Sequence, residues 1–211
     1  NTSNYVLRLR QDGALAVRGS ERFRGAANAR ERRELEDPAT RRQTLERQLA
    51  RAMPGTQVER VETTPLGLDA AELGYDFDAV LPARASKNPD GSWSMPVSLY
   101  PHDLAGNYAD QSMRRFALFL DHPWRTRNVM RYVLPPGWTV RDLPPGGRVD
   151  GRFVRFVQTV EQSADGFVVD EDTSLLARRV EVADYEQFRA EALAADQLMK
   201  RTLRVVPQGV R

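Results

Sequence analysis

Tyr5-Val6-Leu7-Arg8-Leu9-Arg10, followed by Asp12-Gly13 and then residues 14–23, is the stretch that decides the fold class. Apolar and polar side chains alternate from position 5 to position 9, the two-residue period of a strand with one buried face. Asp12-Gly13 supplies the positive-φ positions of a tight turn, so the segment predicts a hairpin that pairs residues 5–10 with 14–23. Working outward, three more Asp-Gly pairs follow: Asp90-Gly91, Asp150-Gly151 and Asp165-Gly166. Each adjoins a segment of strand character, at residues 93–99, 153–157 and 167–169. Repeated short strands with regular turn signals predict an antiparallel β-sandwich.

Two segments break this pattern and give a mainly β, α+β chain with a helical insertion near residues 26–53 and a C-terminal helix near 184–200. Asp37-Pro38 reads as a helix start, because Asp caps free N–H groups and Pro fits the first turn. Leu45, Leu49, Ala52 and Met53 then recur at helical spacing up to Pro54-Gly55. In the second segment Tyr185, Phe188, Leu193 and Leu198-Met199 form an imperfect apolar stripe. Leu134-Pro135-Pro136-Gly137-Trp138 and Leu143-Pro144-Pro145-Gly146-Gly147 bracket Thr139-Val140-Arg141-Asp142. Proline cannot donate to a ladder, so these motifs are two corners flanking one short strand. The expected core includes Tyr5, Leu7, Leu9, Leu45, Leu49, Phe116, Leu118, Leu120, Val133, Phe153, Phe156, Tyr185 and Phe188, in a single domain over residues 1–211.

The chain of 211 residues carries a net charge of only +2, and its basic charge is nearly all arginine, Lys87 and Lys200 being the lysines. The arginines are dispersed among acids, as in Arg30-Glu31-Arg32-Arg33-Glu34, so the concentrated basic patch of a nucleic-acid binder is not expected. No apolar run reaches membrane-spanning length; Phe116-Ala117-Leu118-Phe119-Leu120 is strand length. The start, Asn1-Thr2-Ser3-Asn4, has neither the basic nor the apolar region of a signal peptide. There is no cysteine, which removes disulfides, thiolate metal sites and cysteine nucleophiles.

Motifs that carry chemistry are few. His102 precedes Asp103 and His122 follows Asp121. A His–Asp pair with a remote serine could form a triad, but no serine occupies a G-x-S-x-G elbow. Local hydrogen bonding is the plainer reading. Asp76/Asp78 and Glu171/Asp172 could serve a hard cation, although no calcium-loop pattern surrounds them. In Tyr75-Asp76-Phe77-Asp78 the aromatics are read as buried and the carboxylates as wet. No phosphate loop is present, since Gly146-Gly147 lacks a following lysine, and no metal or cofactor is expected. Trp124, Tyr132 and Trp138 lie near prolines and are the weak candidates for a ligand-binding platform; as large apolar side chains they also suit burial at sheet ends.

The order of features carries a resemblance. Phe23-Arg24-Gly25-Ala26-Ala27-Asn28-Ala29-Arg30 opens the charged helical region. Arg115 begins a strand running to Pro123-Trp124, and Tyr132-Val133-Leu134-Pro135-Pro136-Gly137-Trp138-Thr139-Val140 leads to Leu143-Pro144. Val180-Glu181-Val182-Ala183-Asp184-Tyr185-Glu186-Gln187-Phe188-Arg189 then enters the last helix. Together these resemble the C-terminal region of bacterial transglutaminase-like proteins, in which an N-terminal β-sandwich domain of unknown function precedes a papain-like core. The family's active site is a Cys-His-Asp set in that core. With no cysteine here, no catalytic residue carries over.

The resemblance implies a C-terminal, non-catalytic accessory domain whose partner is an upstream transglutaminase-like core. An envelope protein or a peptide is a further partner to consider. It also implies a periplasmic or extracellular location. Two other readings stay open: an independent peptide- or glycan-binding module using Trp124, Tyr132 and Trp138, and a small serine hydrolase using His102 or His122. The accessory reading predicts an exposed apolar patch, the module reading an aromatic groove, and the hydrolase reading a serine within hydrogen-bond reach of a histidine.

Overall fold

The computed structural model describes residues 1–64, 72–99 and 101–209. The chain begins with β1 (Thr2–Leu9), β2 (Leu15–Arg24), α1 (Ala26–Glu34), α2 (Arg41–Ala52), β3 (Gln57–Thr63) and β4 (Glu72–Leu81). It continues with β5 (Ser86–Lys87), β6 (Trp93–Pro96), α3 (Leu104–Tyr108), β7 (Leu118–Phe119), β8 (Trp124–Val133) and β9 (Trp138–Asp142). The last elements are β10 (Gly147–Asp150), β11 (Val154–Ser163), β12 (Gly166–Leu175), β13 (Arg179–Val180), α4 (Tyr185–Met199) and β14 (Thr202–Pro207). The fold is mainly β with few helices, an α+β arrangement.

An eight-stranded sheet runs in the order β10-β11-β12-β8-β1-β2-β4-β3, and a four-stranded sheet in the order β5-β6-β14-β9. The first hairpin forms as its sequence predicts, with Leu9 opposite Leu15 and Gly13 at φ 84 in the turn. The proline motifs do flank one strand, β9.

One seam departs from the antiparallel expectation: β1 pairs β8 in parallel, from Thr2 opposite Arg127 to Arg8 opposite Val133. It joins two halves, β3-β4-β2-β1 and β8-β12-β11-β10, each antiparallel within itself. Tight turns join β1 to β2, β10 to β11 and β11 to β12, and such hairpins require antiparallel pairing. Strands joined by a long connection are free of that constraint.

The large sheet buries one face. Its first apolar cluster gathers Tyr5, Leu7, Phe77, Tyr132 and Phe167 beneath Met95, Val97, Leu203 and Val205 of the small-sheet layer, with Leu45 and Leu49 of α2. Its second cluster gathers Phe156, Val154 and Leu175 beneath Tyr185, Phe188, Ala192 and Met199 of α4. The opposite face is wet and laced with ion pairs such as Arg18–Asp78 (2.9 Å) and Arg131–Asp165 (2.9 Å). Exposed pairs of this kind contribute about 0–1 kcal/mol each. Asp76 and Asp78 belong to this face, paired with Arg22 and Arg18, while Tyr75 and Phe77 are buried.

α4 pins two neighbours with carboxylates. Glu191 accepts the N–H groups of Arg152 (3.1 Å), Phe153 (2.8 Å) and Val154 (2.9 Å). Gly151 permits that approach, since a Cβ there would meet Glu191 Oε2 at 2.2 Å. Asp196, buried, accepts the N–H groups of Leu104 (2.8 Å) and Ala105 (2.9 Å) and so holds the start of α3. At the other helical region, Asp37 accepts Ala39 N–H at 3.0 Å, and its carbonyl receives Arg41 N–H. It therefore caps a turn that runs into α2, four residues ahead of the helix proper.

A polar row crosses the buried face between the two clusters. Strand register places Glu21, Ser3, Asn128, Glu171 and Gln158 side by side across five strands. Glu21 accepts the hydroxyls of Tyr5 and Tyr75, each at 2.9 Å. Glu171, 2% exposed, accepts Ser98 Oγ and Gln158 Nε2. Asn128 Oδ1, Gln158 Oε1 and Thr173 Oγ1 find no hydrogen-bond partner among the described residues. A neutral Glu171 would carry an O–H donor into this neighbourhood of unpartnered oxygens. Burial pushes both carboxyls, Glu171 and Glu21, above the ordinary glutamate value near 4.5.

The folded state then holds these protons more tightly than the unfolded chain. Stability is full below the ordinary glutamate value and falls as pH rises through the folded ones. Glu171→Gln keeps the hydrogen bonds without the charge. It is expected to raise the denaturation midpoint at about pH 8 and to flatten its decline with pH. A wild-type-like slope in that variant would contradict this assignment.

Candidate functional site

The three aromatic candidates do not meet. Tyr132 is buried: its ring stacks on Phe167 at 4.4 Å and its hydroxyl donates to the Val97 carbonyl at 2.8 Å. Burial pushes that hydroxyl above its ordinary value. It is a core side chain and lines no exposed groove, because its row on β8 faces the small sheet. Trp138 is half-buried against Trp93, with ring centroids 5.8 Å apart, beside the first cluster. Trp124 packs on the second cluster and lies 5.3 Å from the His102 ring.

The serine and histidine of the hydrolase reading are not brought together. Among the described residues no serine hydrogen-bonds either histidine ring, and His102 Nε2 is buried without a partner. Burial lowers the His102 pKa, opposed by the nearby Asp196. His122 is exposed. Glu171 and Asp172 point to opposite faces, Asp172 pairing with Arg125 outside. Among the described residues no group of three or more His, Asp or Glu side chains could hold a metal, and no helix is long and apolar enough to cross a membrane.

The surface feature that stands out is the segment before β7. Met113, Phe116 and Phe119 are 76%, 83% and 72% exposed, and Val182 is 45% exposed. Phe116 was expected in the core as part of a strand over residues 116–120, and the structure corrects this. The strand shrinks to Leu118–Phe119, paired among the described residues with β13 alone. Alternation there turns Leu120 inward and Phe119 outward, while Phe116 precedes the ladder and has no sheet to cover it. Leu118 is half-buried on the same cluster, and Val133, also expected in the core, is half-buried.

Phe119 forms the lip of a cleft of ≈ 680 Å³ between α1 and the β7 segment, floored by Phe23, Tyr108 and Trp124 and rimmed by Arg30, Arg33 and Arg114. The Arg179 guanidinium sits 5.2 Å from the Phe119 ring centroid, a cation–π contact that holds the ring outward. The sequence carried one signal of this surface. Positions 113, 116 and 119 repeat every third residue, a spacing that fits neither face of a strand. A larger hollow of ≈ 760 Å³ lies on the wet face. Its charged walls include Arg125–Asp172 and Arg127–Asp170, which satisfy one another.

The architecture is a mainly β, α+β one, and comparison with known proteins adds little to it. No family model matches the chain, and no curated protein matches it. Among solved structures, one from Parabacteroides distasonis ATCC 8503, named a "putative protease", aligns with 56% of this chain at 16% identity and a TM-score of 0.47. This chain covers 24% of that protein. A STAR-related lipid transfer protein fragment from Xanthomonas axonopodis aligns with 93% of this chain and 99% of its own length, at 14% identity and a TM-score of 0.13. Neither likeness is close enough to carry an argument.

Proposed function

We propose that this chain is a non-catalytic accessory domain that docks on a neighbouring protein through Met113, Phe116 and Phe119. The neighbour we assign is the transglutaminase-like core of the same protein, in or beyond the cell envelope, where the domain positions substrate or covers the cleft. One observation carries the docking surface: three large apolar side chains, each more than two-thirds exposed, within seven residues, the last of them, Phe119, lining a cleft. Exposed apolar area concentrated in one short segment supports an interface. Phe, Met and Arg are the residue types enriched there. The assignment of the core as partner rests on the sequence resemblance.

The test is calorimetric titration of this domain with the polypeptide encoded immediately upstream of Asn1. Association is expected, and Phe116→Asp with Phe119→Asp should weaken it by about 2 kcal/mol or more, the scale of an interface hot spot. Both side chains are exposed, so the variant should fold as the wild type does. Binding unchanged by the double substitution, or no binding at high micromolar concentration, would overturn the proposal.

A further inference from the structure

We infer that the partner segment received by this cleft is acidic as well as apolar; the inference rests on the docking reading above and names the partner's chemistry. The argument is charge complementarity. Arg33 and Arg114 line the cleft, Arg115 precedes the exposed Phe116, and Arg178 adjoins the β13 strand that pairs with β7. None of these four forms an ion pair among the described residues, in a chain that pairs arginine with carboxylate across most of its wet face. Arg114 lies 5.3 Å from the Tyr185 ring centroid and its Nε has no hydrogen-bond partner.

The acids nearby are largely committed. Glu34 holds Arg30 at 3.0 Å, and Glu181 holds Arg179 at 2.7 Å. Glu31 accepts Gln48 Nε2 at 3.1 Å, and burial raises its pKa. Asp121 is the opposing carboxylate left in the cleft wall. The surface thus combines apolar anchors with guanidinium forks whose planar geometry suits carboxylates. An acidic segment bearing apolar side chains would satisfy both, and a basic one would be repelled.

The experiment is stopped-flow association of this domain with the same upstream polypeptide, from about 50 to about 500 mM NaCl, a range that shortens screening from beyond ten ångströms to a few. The expected association rate falls by about tenfold or more across that range, and by a similar factor in the exposed triple variant Arg33→Glu, Arg115→Glu, Arg178→Glu. Circular dichroism verifies that the variant is folded. A rate indifferent to salt and to charge reversal, with binding still lost in Phe116→Asp, would overturn the acidic partner and leave apolar docking standing. No association of the wild type at any salt would overturn both.

Discussion

Truncating Phe188 to alanine is expected to lower the unfolding free energy by about 3–5 kcal/mol, the range for removing a large aromatic from a packed core. Phe188 is fully buried at the centre of the α4 face. Its ring meets Phe153 edge-on at 6.0 Å and Tyr185 at 6.4 Å. Backbone on both sides limits collapse into the space left, because Glu191 ties α4 to residues 152–154 through three N–H groups. Against a typical total of about 5–15 kcal/mol, the loss is a large share. A guanidinium titration reads it as a lower midpoint at unchanged slope. A loss under about 1 kcal/mol would mean that the second cluster is not a tightly packed core.

Asp196→Ala is the second large effect, and it acts through hydrogen bonding. Asp196 is 3% exposed and accepts two backbone donors, Leu104 and Ala105, which start α3. Its removal orphans both in a buried setting, at about 1–3 kcal/mol for each. The residue before them, Asp103, has φ 50, a left-handed conformation uncommon outside glycine. Its carboxylate reaches Lys200 at 3.0 Å, so both ends of this corner are tied to the end of α4. Asp196→Asn keeps one acceptor oxygen and should recover part of the loss. Amide exchange separates the local consequence from the global one: Leu104 and Ala105 should lose protection beyond the fall in overall stability. Equal protection in wild type and Asp196→Ala would contradict the account.

The hairpin, the helical segments and the proline corners were legible because each rests on local chemistry: alternation, Asp-Gly turns and missing N–H donors. The β1–β8 seam was not, because parallel pairing of distant strands leaves no local mark. Glu171 beside Asp172 reads in sequence only as an acidic pair that could serve a cation, and its burial follows from the row formed with Asn128 and Gln158. Similarly, the buried stripe of α4 runs through the small Ala192 and Ala195, which sit beside less buried alanines in sequence, and through the charged Asp196, which no hydrophobic count selects. At the candidate site, Tyr132 and Phe116 exchanged roles for one reason. An aromatic follows the face its strand presents, so Tyr132 in β8 is carried into the core and Phe116, outside any ladder, is left on the surface.

Hydrogen exchange on this chain, alone and in the presence of the proposed upstream core, tests the docking surface most directly. With the core added, amides of residues 113–120 and of the start of α1 should gain protection, while the wet face around Arg127 and Asp170 should not change. Unchanged exchange over residues 113–120, or protection gained on the wet face instead, would contradict docking through Met113, Phe116 and Phe119.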